Sequence, residues 1–176
     1  MENPMTSFFR SLSLHHGYLA AALSCAGLLA MAYYFEYVLY LDPCPLCMLQ
    51  RLITLMIGIG FLLAFFTRNT GWPLKLSLLF TIGWGVFGIW AADHQLWLQN
   101  LPPEDVPACG PSFDYMLDTM PLAELLKVML HGDGNCAEVS WTLLGKSMPW
   151  WTRIAFAVYG LAALFALWRS SVKRAD

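Results

Sequence analysis

Two cysteines separated by two residues, Cys44 and Cys47, lie between two long apolar stretches, and Arg51 follows one helical turn later. Thiols at this spacing can exchange a disulfide, because a thiolate attacks the sulfur of another disulfide. Cys47 falls at the start of a predicted helix, whose positive end favours a thiolate. A disulfide that closes so small a loop adds little stability. The spacing therefore predicts a redox pair and disfavours a structural staple.

The three remaining cysteines are predicted to play different parts. Cys25 lies within an apolar stretch and is predicted to be a small packing residue. Cys109 and Cys136 share one long connecting segment, where a disulfide could brace the chain or accept attack from another protein's thiolate. They do not form a second close pair, so a tetrathiolate zinc site is disfavoured and no metal is predicted. Several pairings of the four candidate redox cysteines remain open.

Composition places the chain in a membrane. Its 176 residues are 58% hydrophobic and 12% charged, and the net charge of −2 offers no basic surface for nucleic acid. Four apolar runs approach the roughly 20 residues that a membrane-spanning helix needs. These runs are residues 18–41, 48–66, 72–92 and 150–168. We therefore predict an all-α integral membrane protein, a four-helix bundle forming a single membrane domain over residues 1–176.

Positive charge predicts the orientation of these spans. Most Lys and Arg residues near the helix ends fall on one side, which is the cytoplasmic side by the positive-inside rule. They are Arg10, Arg68, Lys75, Arg169, Lys173 and Arg174, against Lys127 and Lys146 on the other side, where Arg51 and Arg153 also lie just inside their helices. Both termini are therefore predicted to be cytoplasmic, and segments 42–47 and 93–149 periplasmic. The longer segment is expected to carry one or two short amphipathic helices between residues 112 and 130, interrupted by Pro121.

Three ionisable residues near the predicted outer ends of the helices are candidates for function, and two of them, Arg51 and His94, have a second interpretation. Arg51 shares a helix face with Cys47. It could extend to lipid headgroups, or act as a fixed cation that stabilises a thiolate and polarises a carbonyl oxygen. His94 could be a polar cap, or could hydrogen-bond a buried carbonyl and shuttle protons. Glu36 is a functional candidate because it is ionisable within an apolar run, but the sequence identifies no partner for it.

The chain as a whole resembles the DsbB family, bacterial disulfide bond formation protein B. The matching motifs are Pro43-Cys44-Pro45-Leu46-Cys47 with Arg51, Ala108-Cys109-Gly110-Pro111-Ser112, Asn135-Cys136-Ala137-Glu138 and Met148-Pro149-Trp150. The resemblance implies a four-helix bundle in the bacterial inner membrane that binds ubiquinone or menaquinone at its outer edge. It also implies that the protein reoxidises DsbA, a periplasmic thiol oxidant. The expected partners are thus a DsbA-like protein, the quinone pool and membrane lipid.

The resemblance also implies roles for single residues. Cys109 would form the mixed disulfide with the protein partner, and Cys136 would then pair with Cys44. Cys47 would remain as a thiolate in charge-transfer contact with the quinone ring, and Arg51 and His94 would occupy quinone-site positions. The expected activity is that of a quinone-dependent protein-thiol oxidoreductase.

Two other functions compete with this one. The first is a quinone reductase resembling the vitamin K epoxide reductase family, which the order of the two cysteine pairs along this chain disfavours. The second is a membrane protein without enzymatic activity whose disulfides only brace its outer segment. Replacing cysteines in such a protein would lower stability without affecting electron transfer.

Overall fold

Most of the described part of the protein is helical. The computed structural model describes residues 4–68, 70–111 and 113–172, so Ser112, Lys173 and Arg174 lie outside the described residues. The elements are α1 Pro4–Tyr37, α2 Pro45–Phe66, α3 Gly71–Leu98, α4 Phe113–Thr119, α5 Leu122–His131, α6 Gly134–Ala137, β1 Thr142–Leu143, β2 Lys146–Ser147 and α7 Met148–Val172. Four of these helices are long and apolar enough to cross a membrane, with the candidate part of α1 being His16–Tyr37. The predicted fold class is confirmed.

Helix α3 lies in the middle of the bundle, where it packs against both α2 and α7, while α1 packs against α2. The core between them is formed by fully buried side chains such as Ile53, Leu78 and Phe156. Gly88 allows one close approach, because a Cβ atom there would lie 2.7 Å from the Phe156 ring. Close approach matters here, because the hydrophobic effect does not drive apolar helices together in lipid. Their association depends instead on close packing of side chains and backbone.

Several helix limits differ from the predicted spans, and the ends of α1 and α3 are two of them. Helix α1 ends at Tyr37, before the predicted limit at residue 41, and α3 continues past residue 92 to Leu98. The extra turns of α3 persist because Gln95 and Leu98 are buried against the rest of the protein. Helix ends do not locate the bilayer, so the span limits, the single domain and the sidedness of the chain stay predictions.

The segment between α3 and α7 is folded over the end of the bundle. Helices α4 and α5 of this segment are separated at Pro121, as predicted. Helix α5 ends at His131 and is followed by Gly132, whose φ of +72° places it in the left-handed region, and a Cβ there would lie 2.8 Å from the Leu46 and Leu98 side chains. Glycine at this position lets the chain turn directly against α2 and α3. The antiparallel pair of β1 and β2 was not predicted.

Candidate redox site

The Cys44–Cys47 pair forms the start of α2. Cys44 occupies the N-cap position in extended conformation, and Pro45 follows in the first turn, where its missing N–H is not needed. The backbone N–H of Cys47 donates to the Cys44 sulfur at 3.3 Å. The sulfur thus takes the place of the usual side-chain oxygen acceptor at a helix N-cap. Local sequence alone therefore fixes the two thiols relative to each other.

A third sulfur joins this pair from the connecting segment. Cys136 on α6 is fully buried, and its thiol and that of Cys47 lie within hydrogen-bonding reach of the Cys44 sulfur. The pKa of the Cys44 thiol is raised well above its ordinary value, first by the Cys136 thiol, then by the Cys47 thiol and by burial. All three cysteines are free thiols here. We call Cys44, Cys47 and Cys136 the sulfur cluster.

Cys109 lies at the surface beside this cluster. Residues 108–110 are bound to residues 133–135 by hydrogen bonds of 3.1 to 3.2 Å, which involve both backbone groups and the Asp133 carboxylate. A Cβ atom on Gly134 would lie 2.9 Å from the Cys109 sulfur. The exposed thiol of Cys109 is therefore fixed next to the short helix that carries the buried Cys136. The structure brings all four predicted redox cysteines to one end of the bundle.

A cavity of about 490 Å³ opens on the other side of the cluster. It lies between α1, α2 and α7, and residues 138–149 close one of its sides. Most of its lining is apolar, with Phe35 and Trp141 among the aromatic residues. Cys47 and Arg51 also line it, whereas Cys44 does not. The volume and the few polar groups are those of a site for an amphiphilic small molecule.

Arg51 is bound to α1. Its guanidinium forms an ion pair with Glu36, donates to the Ala32 carbonyl at 3.0 Å and lies 5.2 Å from the centre of the Tyr33 ring. The side chains of Arg51 and Glu36 are only 13% and 17% exposed. Glu36, for which the sequence identified no partner, thus holds the cation of α2 at the cavity wall. A carboxylate eight residues before Cys44 was the available signal, but nothing in the sequence joined it to Arg51.

Sequence reasoning also missed a chain of hydrogen bonds that ends on the sulfurs. The Thr152 hydroxyl donates to Gln50 Oε1 at 2.6 Å, and Gln50 Nε2 donates to Gln95 Oε1 at 2.6 Å. Gln95 Nε2 then lies 3.4 Å from the sulfurs of both Cys44 and Cys47. Gln50 and Gln95 are 6% and 3% exposed. We call Thr152, Gln50 and Gln95 the glutamine chain.

His94 lies apart from the cavity. Its Nε2 is 2.9 Å from the His131 carbonyl oxygen, and its ring stacks between Trp90 and Trp97 with centroids 5.5 Å away on each side. The structure therefore does not bring His94 together with Arg51 and Cys47. Its neighbour Gln95 reaches the sulfurs instead, because successive residues of a helix point about 100° apart.

Comparisons with known proteins identify the family of this chain. The family model for Disulfide bond formation protein DsbB matches residues 15–166. The chain belongs to the DsbB family. Disulfide bond formation protein B of Marinobacter nauticus is 47% identical to it over 147 residues, covering 84% of this chain and 88% of the relative. The protein of the same name from Hahella chejuensis is 46% identical, covering 85% and 89%, and that from Nitrosococcus oceani is 42% identical, covering 83% and 86%.

DsbB membership establishes the general activity. The chain takes part in disulfide bond formation as a disulfide oxidoreductase, and such a protein acts with a thiol oxidant as its partner. Four apolar helices make it a multi-pass membrane protein. The sulfur cluster lies between the surface thiol of Cys109 and the cavity among the helices.

Proposed function

We propose that this DsbB-family protein reoxidises a periplasmic thiol oxidant of the DsbA type and passes the electron pair to membrane quinone. The observation that carries the proposal is the position of the sulfur cluster. On one side the Cys44 sulfur contacts that of Cys136. The residues just before Cys136 are hydrogen-bonded to the segment that carries the exposed Cys109. On the other side Cys47 lines an apolar cavity between membrane helices. This arrangement supports a path for electrons from a soluble protein to a lipid-soluble acceptor.

The proposed cycle starts with disulfides Cys44–Cys47 and Cys109–Cys136. A thiolate of the partner attacks Cys109, which forms a mixed disulfide and frees Cys136 as a thiolate. Cys136 attacks Cys44, so the Cys44–Cys47 bond breaks and Cys47 becomes a thiolate. The partner's second thiol then displaces Cys109 and leaves as a disulfide. Cys109 finally attacks Cys136, which restores their disulfide and releases Cys44 as a thiol.

The cycle leaves Cys44 and Cys47 with the two electrons and two protons that the partner dithiol has lost. When bound, a quinone supplies the acceptor for that electron pair and those protons. The cavity fits this group, because an apolar lining suits a ring with an isoprenoid tail and a few polar side chains suit carbonyl oxygens. Arg51 would hold a carbonyl oxygen by its guanidinium, which Glu36 keeps at the cavity wall. Cys47 would present its sulfur from the same wall.

His94 receives a different role in this proposal from the one that the resemblance implied. Its contact with the His131 carbonyl joins the end of α3 to the end of α5. We propose that it positions the connecting segment over the sulfur cluster and does not touch the quinone.

The bacterial inner membrane, with the cysteines on the periplasmic side, is the proposed location. Disulfides persist in the oxidising periplasm, and the distribution of Lys and Arg favours cytoplasmic termini. Thiol labelling in intact spheroplasts tests this, since a reagent that cannot cross the membrane should modify the exposed Cys109 once a reductant has opened its disulfide. Modification of Cys109 only after lysis would overturn the orientation.

The activity is tested by anaerobic turnover of the purified protein with reduced DsbA-type protein and either ubiquinone or menaquinone. We expect one quinol for each partner disulfide formed, and no quinol with Cys47→Ser. With Cys109→Ser, exchange with the partner should stop while quinone still oxidises the Cys44 and Cys47 thiols. Cys25→Ser is the matched control, because Cys25 is buried in the bundle away from the sulfur cluster. Normal quinol formation by Cys47→Ser would contradict the proposal.

A further inference from the structure

We infer that the glutamine chain acts as one set of positioning residues that keeps an amide donor on the sulfurs of Cys44 and Cys47 and stabilises the reduced pair as a thiolate. This inference deepens the proposed function and rests on it, because it concerns the same sulfurs. Thr152 lies on α7, a helix that contributes no cysteine, and is linked to these sulfurs only through Gln50 and Gln95.

The direction of the chain follows from its chemistry. A side-chain amide accepts at its oxygen and donates at its nitrogen. The Thr152 hydroxyl lies 2.6 Å from Gln50 Oε1 and 3.1 Å from the Pro149 carbonyl oxygen, and donation along the shorter contact makes Gln50 Oε1 an acceptor and turns Gln50 Nε2 toward Gln95. Gln95 Oε1 accepts that bond at 2.6 Å, so Gln95 Nε2 is the atom that faces the sulfurs. A hydroxyl on one helix thereby determines which end of an amide meets the redox pair on another.

Burial of Gln50 and Gln95 strengthens the effect of the Gln95 donor on the sulfurs. Both amides are almost completely removed from water, and a buried amide group without a partner is unfavourable. A thiolate is a much better acceptor than a disulfide sulfur, and hydrogen bonds to charged groups are roughly twice as strong as neutral ones. The Gln95 donor, 3.4 Å from each sulfur, therefore stabilises the reduced, ionised pair more than the oxidised one.

The glutamine chain polarises the sulfurs without supplying a proton, because a hydroxyl and two amides do not titrate near neutral pH. The charged and titratable groups around the pair come from other residues. They are Arg51 on α2, Glu36 on α1, Cys136 on α6, and Asp42 and Glu138 at the cavity. Variants of the glutamine chain leave all of these groups in place, so differences among those variants report on the hydrogen bonds.

The experiment uses the full chain, reduced and free of quinone. Two quantities are measured at pH 7: the thiolate absorbance, and the equilibrium constant for reduction of the Cys44–Cys47 disulfide in a thiol–disulfide buffer of defined potential. For Gln95→Leu we expect that constant to move toward the disulfide by about tenfold, or about 30 mV, with a loss of thiolate absorbance. Thr152→Val, which removes only the hydroxyl, should move it by about threefold, and Thr152→Ser should restore the parent value.

Ser77→Ala provides the control for loss of a buried hydroxyl. Ser77 lies toward the other end of α3 and bonds to the Pro73 carbonyl, so both quantities should match those of the parent chain. Parent values in Gln95→Leu and Thr152→Val would overturn the inference, as would failure of Thr152→Ser to restore them.

Gln50→Asn is the second variant if an apolar replacement prevents folding. It keeps an uncharged amide but is one methylene shorter, so it cannot hold both Thr152 and Gln95, and we expect the constant to move in the same direction as in Gln95→Leu. No change would overturn the inference. Because quinone is absent from these measurements, failure of the parent chain to reduce quinone would refute the proposed function while leaving this result unaffected.

Discussion

Replacing Glu36 by Gln should destabilise the folded protein, because it leaves the Arg51 guanidinium without its carboxylate partner in a largely buried place. The two side chains are only 13% and 17% exposed, so solvent screens the pair weakly. Removing one member of a buried pair costs about 3–5 kcal/mol. Arg51 would keep the Ala32 carbonyl and the Tyr33 ring, which offset part of this loss. We therefore expect the free energy of unfolding to fall by about 2–4 kcal/mol.

A double-mutant cycle separates the pair from its surroundings. The cycle uses Glu36→Gln, Arg51→Met and the two together, with unfolding in mixed micelles followed by tryptophan fluorescence. The double variant should be more stable than the sum of the single changes implies, since neither charge is left alone. We expect a coupling energy of about 2–3 kcal/mol.

The chain contains its own control for this cycle. Arg153 and Asp93 form an ion pair at 3.0 Å whose side chains are 39% and 50% exposed. The same cycle with Arg153→Gln and Asp93→Asn should give at most about 0.5 kcal/mol. A coupling energy for Glu36 and Arg51 no larger than that of the exposed pair would refute the argument that α1 holds the cation in place.

Three further predictions concern the end of the bundle that carries the cysteines. The free energy of unfolding of the reduced protein should fall as pH rises above about 8.5. Above this pH Cys44 loses its proton in the unfolded chain, whereas its raised pKa keeps the thiol protonated in the folded protein. A flat profile in chemical denaturation between about pH 7 and 10 would contradict this. Gly132→Ala should cost about 1–3 kcal/mol, since φ is +72° and the new methyl group would meet two leucine side chains. Gly145→Ala has a similar φ but open space, so calorimetry should find the smaller loss there. Asp133→Ala removes the acceptor for the Gly110 N–H, and hydrogen exchange at Gly110 should accelerate by about tenfold or more, whereas an unchanged rate would rule out this attachment.

Features that depend on neighbouring residues were the ones that the sequence could predict. Four apolar runs identify four helices because length and hydropathy alone decide whether a segment can cross a bilayer. The position of Cys47 near the start of α2 follows from the proline and the apolar run beside it. Pro121 likewise separates α4 from α5 by removing a backbone donor.

Features that depend on how helices are rotated against each other could not be predicted in this way. Whether His94 or Gln95 faces the cysteines is decided by the rotation of α3, which its nearly uniform apolar surface does not reveal. Arg51, the partner of Glu36, is 15 residues away along the chain and on another helix, so only packing brings the two side chains together. Strands β1 and β2 have two residues each, too few for an alternating pattern to appear.

The central place of Cys44 in the sulfur cluster explains how the proposed exchange can proceed without movement of the membrane helices. Its sulfur contacts both Cys47 and Cys136, so a disulfide can pass from one to the other by rotation of side chains. The backbone on either side is fixed, by the N-terminus of α2 before Cys47 and by the tight turn at Gly132 before Cys136. The raised pKa of Cys44 keeps it a protonated thiol after its release, so it is a poor nucleophile toward the Cys109–Cys136 disulfide that has just formed. The surface step falls instead to Cys109, whose exposed thiol is the one that another protein can reach.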